Sequence, residues 1–391
     1  MQLAKRVRTL SSSPTMAVME EASRLRAEGK EVIDFSIGEP DFNTPENIKD
    51  QGHDAIRKNF TRYTAAAGIK DLREAVAIKY KNRYGVDYSA GEVVVSCGAK
   101  HSLFNLAFVL FQEGDEVLLP VPYWVTFPEQ LKMVGATPVE VDTHEKEGFV
   151  VRAAALEAKI TGRTKALIIN SPNNPTGAVI PYEEMEKIVD LAVARELLLI
   201  FDECYEHFVF DGNVHTSPAQ FASKARHLTI LVNTASKTYA MTGWRVGYVV
   251  APKPVVTAIN NVQSHSANPA SISQKAAVES ILGDQESVKA MIAEYERRRK
   301  FVVAKLNSIQ GLTCAQPGGA FYAFPNVSSF LGKEGMKDSL QFSQWLLRQS
   351  GVAVVPGSAF GKEGYIRISF ATSMENLEKG LGRMEQALRG L

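Results

Sequence analysis

Lys237 and Arg245 bracket the stretch SKTYAMTGWR (236–245), with only Tyr239 ionisable between them. A solvent-facing helix scatters charge around its exposed face, whereas here two cations are separated by small and uncharged residues, the pattern of a binding loop. An amine buried near positive charge has its pKa lowered toward neutrality, so it can attack a carbonyl and then carry protons. Other groups fit for chemistry stand in SCGAK (96–100), PYW (122–124), SPNNPTG (171–177) and DECY (202–205), with Arg367 inside the apolar text YIRISF. The Asp202 carboxylate emerges from the apolar run LLLIF rather than from a solvated helix cap. An arginine inside YIRISF is costly to bury without an anionic partner, so a bound carboxylate would explain it.

These segments fall at the ends of predicted strands. Short, β-branched runs apolar on both faces recur at 92–96, 116–120, 165–170, 197–202 and 228–233, and helix-like text such as 181–196 separates several of them. That alternation predicts a mostly parallel sheet covered by helices, whose strand ends carry the ligand site. Beyond about residue 285 a charged helical stretch leads to the strand candidates FYAFPN, VAVVP and YIRISF of a smaller unit. We read 45–285 as a large domain and 1–44 plus 286–391 as a small α+β domain, and EYERRRK (294–300) as a solvated helix face.

Composition narrows the class. The chain has 391 residues, more than one core usually covers, and its 44 basic and 43 acidic residues nearly cancel, which removes the field a nucleic-acid binder relies on. Cys97, Cys204 and Cys314 form no C-x-x-C pair, and no text suggests a metal site. The basic N-terminus lacks an apolar signal core and no run is long enough to cross a membrane, so a cytoplasmic protein is expected. A G-x-G-x-x-G after an early strand and H-E-x-x-H are absent, and PGSAFGKEG (356–364) lacks the spacing of a P-loop.

In order and spacing, GEPDF (38–42), PYW, NSPNNPTGAV (170–179), AMTGWR (240–245) and RISFATS (367–373) resemble the class I pyridoxal-phosphate aminotransferases of fold type I, closest to the bacterial aspartate aminotransferases with thermophilic members. The resemblance covers nearly the whole chain and implies a seven-stranded-type sheet sandwiched by helices. It implies pyridoxal 5'-phosphate held covalently by Lys237, with Asp202 beside the ring nitrogen, Tyr205 and Asn174 donating to the ring oxygen, and Trp124 stacked on the ring. Arg245, Thr234, Ser236 and Gly98-Ala99-Lys100, which precede a helix, would meet the phosphate, with Tyr63 reaching the neighbouring subunit's phosphate in a homodimer. Arg367 would grip the substrate α-carboxylate, with Gly38 and Asn174 beside it and Trp124 in contact with the substrate. Lys100, Ser13, Thr15 and Ser266 fall where the subgroup recognises acidic side chains.

The activity implied is ping-pong transfer of an amino group between aspartate or glutamate and a 2-oxo acid. Relatives that also accept prephenate carry an extra lysine where Ser11 stands here. An aromatic or prephenate aminotransferase, or a fold-type I lyase or synthase redirected by Tyr123 or Phe127, shares Lys237, Asp202 and Arg245. A non-catalytic sensor of the cofactor needs a DNA-binding module, for which the resemblance leaves no room.

Overall fold

The apolar runs become five strands of one sheet. In the computed structural model, which describes residues 14–391, the strands are β1 (Ile33–Asp34), β2 (Val93–Ser96), β3 (Glu116–Val121), β4 (Thr137–Asp142), β5 (Thr164–Asn170) and β6 (Leu198–Asp202). They continue as β7 (Thr229–Thr234), β8 (Gly247–Val250), β9 (Tyr322–Ala323), β10 (Val352–Ala353), β11 (Val355–Pro356) and β12 (Ile366–Ser369). The large sheet has seven strands in the order β2-β8-β7-β6-β5-β3-β4, parallel throughout except β8, which runs against both neighbours.

Why these runs are apolar on both faces is visible in the packing. Successive side chains of a strand point to opposite faces. Val117, Leu119, Ile168, Ile200, Ile230 and Val232 therefore enter one core, while Leu118, Leu167, Ile169, Leu199, Phe201 and Leu231 enter another across the sheet. Helices such as Ala99–Leu110 cover the first core and Tyr182–Ala194 the second.

Beyond this body, β1 pairs in parallel with β10, and β12 lies between β9 and β11. Val18, Ala22 and Leu25 of helix Pro14–Ala27 share a small core with Leu347 and Ala353. The helix predicted after Gly98-Ala99-Lys100 starts earlier, at Ala99, with Gly98 as its N-cap at φ 85. The solvated-face reading of EYERRRK is corrected at Tyr295, Arg298 and Arg299, the tyrosine being fully buried in the core. Arg298 and Arg299 of helix Glu286–Ser308 are buried, Arg298 against Asp41 and Glu294, Arg299 on the Pro317 carbonyl and Asp211. Two arginines in a charged run thus fasten the helix inward, while Arg297 and Lys300 remain outside.

Helix Met374–Leu388 offers a test of this packing. A Cβ on Gly380 would lie 2.4 Å from Cζ of Phe35, whereas one on Gly382 would meet nothing within 4 Å. Gly382→Ala is expected to raise stability by about 0.5–1 kcal/mol through helix propensity. Gly380→Ala is expected to lower it by roughly 1–3 kcal/mol because the Phe35 ring must move. Chemical-denaturation midpoints of the two variants should shift in opposite directions, and equal shifts would contradict this packing.

Candidate active site

Parallel strands present their C-terminal ends along one edge, and that edge is where this sheet gathers its polar groups. Asn170 at the end of β5 is in register with Asp202 at the end of β6, and Thr234 at the end of β7 lies opposite Gly247 at the start of β8. The loops that follow bring Ala99, Lys100, Trp124, Asn174 and Tyr205 to the rim of one cavity of ≈ 430 Å³, together with Ser236, Lys237 and Arg245. Gly38, a few residues after β1, and Arg367 of β12 line the same cavity. Its size suits a small ligand.

At one end the groups suit an anion. Arg245 adopts the left-handed conformation, φ 54, and its guanidinium donates to the carbonyls of Thr242 (2.9 Å) and Cys97 (3.2 Å). Thr234 Oγ1 donates to Ser236 Oγ at 2.8 Å, and helix Ala99–Leu110 begins alongside. Gly98 must be glycine here: a Cβ would come within 2.5 Å of Arg245 Nη2. Gly247 is equally constrained, since its Cβ would sit 2.4 Å from the Ala99 nitrogen. Free N–H groups, two hydroxyls and a guanidinium whose partners among the described residues are carbonyls form an anion cradle.

In the middle stand an amine and a carboxylate. Lys237 Nζ donates to the Gly38 carbonyl at 2.6 Å, and burial lowers its pKa from 10.5 to about 8. Burial pushes the Asp202 carboxyl up to about 6, against the pull of hydrogen bonds from the Cys204 thiol and from the Cys204 N–H at 2.9 Å. Asn170 donates to the Asp202 carbonyl and accepts from the Asn174 N–H, tying the SPNNPTG loop to this strand end. Lys100 Nζ lies 5.3 Å from the Trp124 ring centroid, and Phe127 meets the same indole edge-on.

Arg367 closes the far end. Its side chain is buried, with Nη2 donating to the Ser36 carbonyl (2.7 Å) and Nη1 to Asn174 Oδ1 (3.1 Å), while Nε has no partner. The guanidinium lies 4.5 Å from the Tyr322 ring centroid and 5.1 Å from that of Phe360. Among the described residues it too faces no carboxylate.

Beneath the Asp202 strand end lies a second polar layer. Lys79 and Asn233 both bond Glu206, and Tyr80 donates to Glu203, which also meets His215. Burial alone would push Glu206 up, but Lys79 and Arg83 outweigh it and hold it well below the usual carboxylate range. Glu203, Glu206 and His215 are close enough to hold a metal ion, yet both carboxylates are already engaged by these cations and donors.

Several expected residues lie elsewhere. Tyr63 is 95% exposed and outside the cavity wall, and Ser266 is exposed at the end of helix Lys253–Ser266. Ser11, Ser13 and the Thr15 side chain lie outside the described residues. Tyr123 bonds Glu140 and Phe127 is buried in the core, so neither lines the cavity. Conversely, Cys204, Thr242, Phe360 and Tyr322 do line it and were not singled out from the sequence. Cys204 could have been, since it stands between two residues that were.

These groups fit pyridoxal 5'-phosphate. The cradle that a Cβ at Gly98 would fill suits a phosphate, the buried amine of low pKa suits an aldehyde, and Asp202 suits a ring N–H. The family model for aminotransferase class I and II matches residues 30–384. A relative from Aquifex aeolicus, a probable aspartate/prephenate aminotransferase, is 44% identical over 99% of this chain and 98% of its own. The aspartate aminotransferase structure from Rhizobium meliloti superposes with a TM-score of 0.96 at 38% identity, covering 100% of this chain and 99% of that one. That of Thermus thermophilus aspartate aminotransferase with maleate gives 0.92 at 40% identity, covering 99% and 100%. The match spans both the sheet that carries the amine and the unit that carries Arg367, and the chain belongs to the class I and II aminotransferases, enzymes that depend on pyridoxal phosphate.

Proposed function

We propose that this chain is an aspartate aminotransferase, exchanging the amino group of L-aspartate or L-glutamate with oxaloacetate or 2-oxoglutarate by a ping-pong route. The observation that carries this reading is the pair of guanidinium groups, Arg245 and Arg367, that face the cavity from its two ends without carboxylate partners among the described residues, with Lys237 between them. The names of the relatives, and the dicarboxylate maleate in one of the solved structures, support the substrate class.

When bound, the cofactor supplies an electron sink for the bonds at the substrate α-carbon. The residues do the rest. Arg245, Thr234, Ser236 and the Gly98–Ala99 helix start would hold the phosphate, Asp202 would keep the ring nitrogen protonated, and Trp124 would pack against the ring. Tyr205 and the Asn174 amide nitrogen would donate to the ring oxygen. Arg367 takes the α-carboxylate in a two-pronged grip, turning the α-hydrogen toward Lys237 Nζ, which holds and moves the proton. A pKa lowered to about 8 makes that amine competent as a base near neutrality. Lys100 faces the side-chain carboxylate of an acidic substrate. The unit 1–44 plus 286–391, carrying Gly38 and Arg367, closes over the body 45–285 and excludes water.

Incubation with aspartate and 2-oxoglutarate should yield oxaloacetate and glutamate, and prephenate should serve poorly as acceptor given Ser11. Release of pyruvate, ammonia or a thiol would replace this reading by a lyase. Arg367→Ala should keep the visible absorbance of the bound cofactor but lower kcat/KM by about two to three orders of magnitude, the loss of a buried charged pair.

We also propose a cytoplasmic homodimer in which Tyr63 reaches the partner's phosphate. The 95% exposure of so large a ring supports an interface there. Sedimentation should give twice the mass of one chain, and Tyr63→Phe should weaken cofactor retention by about ten-fold, the value of one charge-assisted hydrogen bond. A monomer that retains cofactor fully would overturn this assignment.

The burial of Lys237 also predicts a pH dependence. Its pKa falls from 10.5 to about 8 on folding, so between those values the unfolded chain holds a proton that the folded one has released. Stability therefore rises with pH across that window, and below about 8 the penalty of the buried ammonium is present in full. Lys237→Met in the cofactor-free protein should gain on the order of 1–3 kcal/mol at neutral pH, a gain that shrinks as pH climbs through the window. A pH-independent difference would contradict it.

A further inference from the structure

Tyr322 lines the cavity and touches both Tyr205, just beyond β6 of the large sheet, and Arg367 on β12, with Gly38 close by. Its place follows from strand pairing. β9 runs antiparallel to β12 with Tyr322 opposite Ser369, and Arg367 lies two residues earlier on the same face of β12. Its hydroxyl is 2.9 Å from that of Tyr205, its ring centroid is 4.5 Å from Arg367 Cζ, and a Cβ on Gly38 would lie 3.1 Å from its hydroxyl. The side chain is 0% exposed.

Burial raises both phenols, so at neutral pH each keeps its proton and one must donate to the other. Tyr205 has a single O–H. If that proton is aimed at the cofactor ring oxygen, the bond between the two hydroxyls has to be donated by Tyr322. A donated bond polarises Tyr205 and makes it the stronger donor. On the other side, the ring face of Tyr322 holds a guanidinium that Ser36 and Asn174 grip by only two of its nitrogens, Nη2 and Nη1.

We propose that Tyr322 is a positioning residue that joins the two halves of the site: its hydroxyl donates to Tyr205 so that Tyr205 can donate to the cofactor ring oxygen, and its ring holds Arg367 in line for the substrate carboxylate. This rests on the roles of Tyr205 and Arg367 in the reading above. The hydroxyl and the ring serve different partners, so they can be separated by substitution.

Two readouts on the cofactor-loaded protein need no turnover: the pH midpoint of its visible absorbance, and the affinity for maleate, a dicarboxylate that cannot be transaminated, at a pH well below every midpoint. Tyr322→Phe keeps the ring and loses the hydroxyl. Its midpoint should rise by roughly 0.3–0.6 unit, because the anionic ring oxygen loses support, with maleate affinity within about two-fold of wild type. Tyr322→Leu loses both, and should show the same rise together with about five- to thirty-fold weaker maleate binding. A Tyr322→Phe midpoint equal to wild type overturns the proposal, and this near-isosteric variant decides the matter even where the leucine variant folds poorly. Wild-type maleate affinity in a folded Tyr322→Leu protein overturns the half that concerns Arg367. Absence of a visible band in the wild type would overturn the cofactor reading and this proposal with it, whereas a normal wild-type band leaves the Tyr322→Phe result to judge the proposal alone.

Discussion

A buried guanidinium without a counter-ion is the constraint around which this molecule is arranged. Arg367 is 7% exposed, and burial lowers its pKa, which measures how poorly the site solvates the charge. Two carbonyl-type acceptors and two aromatic faces soften the cost without neutralising it. The site is therefore prepared for an anion and incomplete without one. Stability has been given up locally for binding, as functional sites often do.

Lys237 poses the same problem more mildly. Its ammonium has the Gly38 carbonyl but no carboxylate within bonding distance, and burial brings its pKa near neutrality, where the group is useful as nucleophile and base. Asp202 is displaced the other way, up to about 6, so it remains mostly ionised at neutral pH yet gains by meeting a ring N–H. Lys237 and Asp202 are out of balance in opposite senses that one aldehyde with a cationic ring would relieve together, whereas Arg367, at the far end of the cavity, calls for a separate anion. The layer beneath behaves differently: Glu206 is fully paired with Lys79 and Arg83, and it supports the strand end rather than waiting for a partner.

How much of this was legible in the sequence depended on how each element is buried. Strands β2, β3, β5, β6 and β7 were readable because a parallel sheet covered on both faces demands unbroken apolar text. Strand β4 escaped because, unlike the other edge strand β2, it is uncovered, with Thr137, Glu140 and Asp142 exposed, so no apolar run marks it. Strand β8 escaped because its four residues GYVV follow straight on from the binding loop and run antiparallel, outside the helix–strand alternation. Arg298 and Arg299 looked solvated because their partners Asp41 and Asp211 lie far away in the chain, and charge pairing at that distance leaves no local trace.

The site divides along the same line. Residues at the ends of parallel strands sit in compact motifs and could be collected from text alone, whereas Tyr322 belongs to a two-residue strand whose meaning comes from the strand it pairs with, more than forty positions later. Nothing in GGAFYAF distinguishes the tyrosine from its buried neighbours Phe321 and Phe324, which turn into the aromatic core. What distinguishes it is a hydroxyl, and a buried hydroxyl must find a partner. That partner is Tyr205, just beyond the end of β6, so the requirement to satisfy one buried polar atom is also what links the Arg367 end of the cavity to the large sheet.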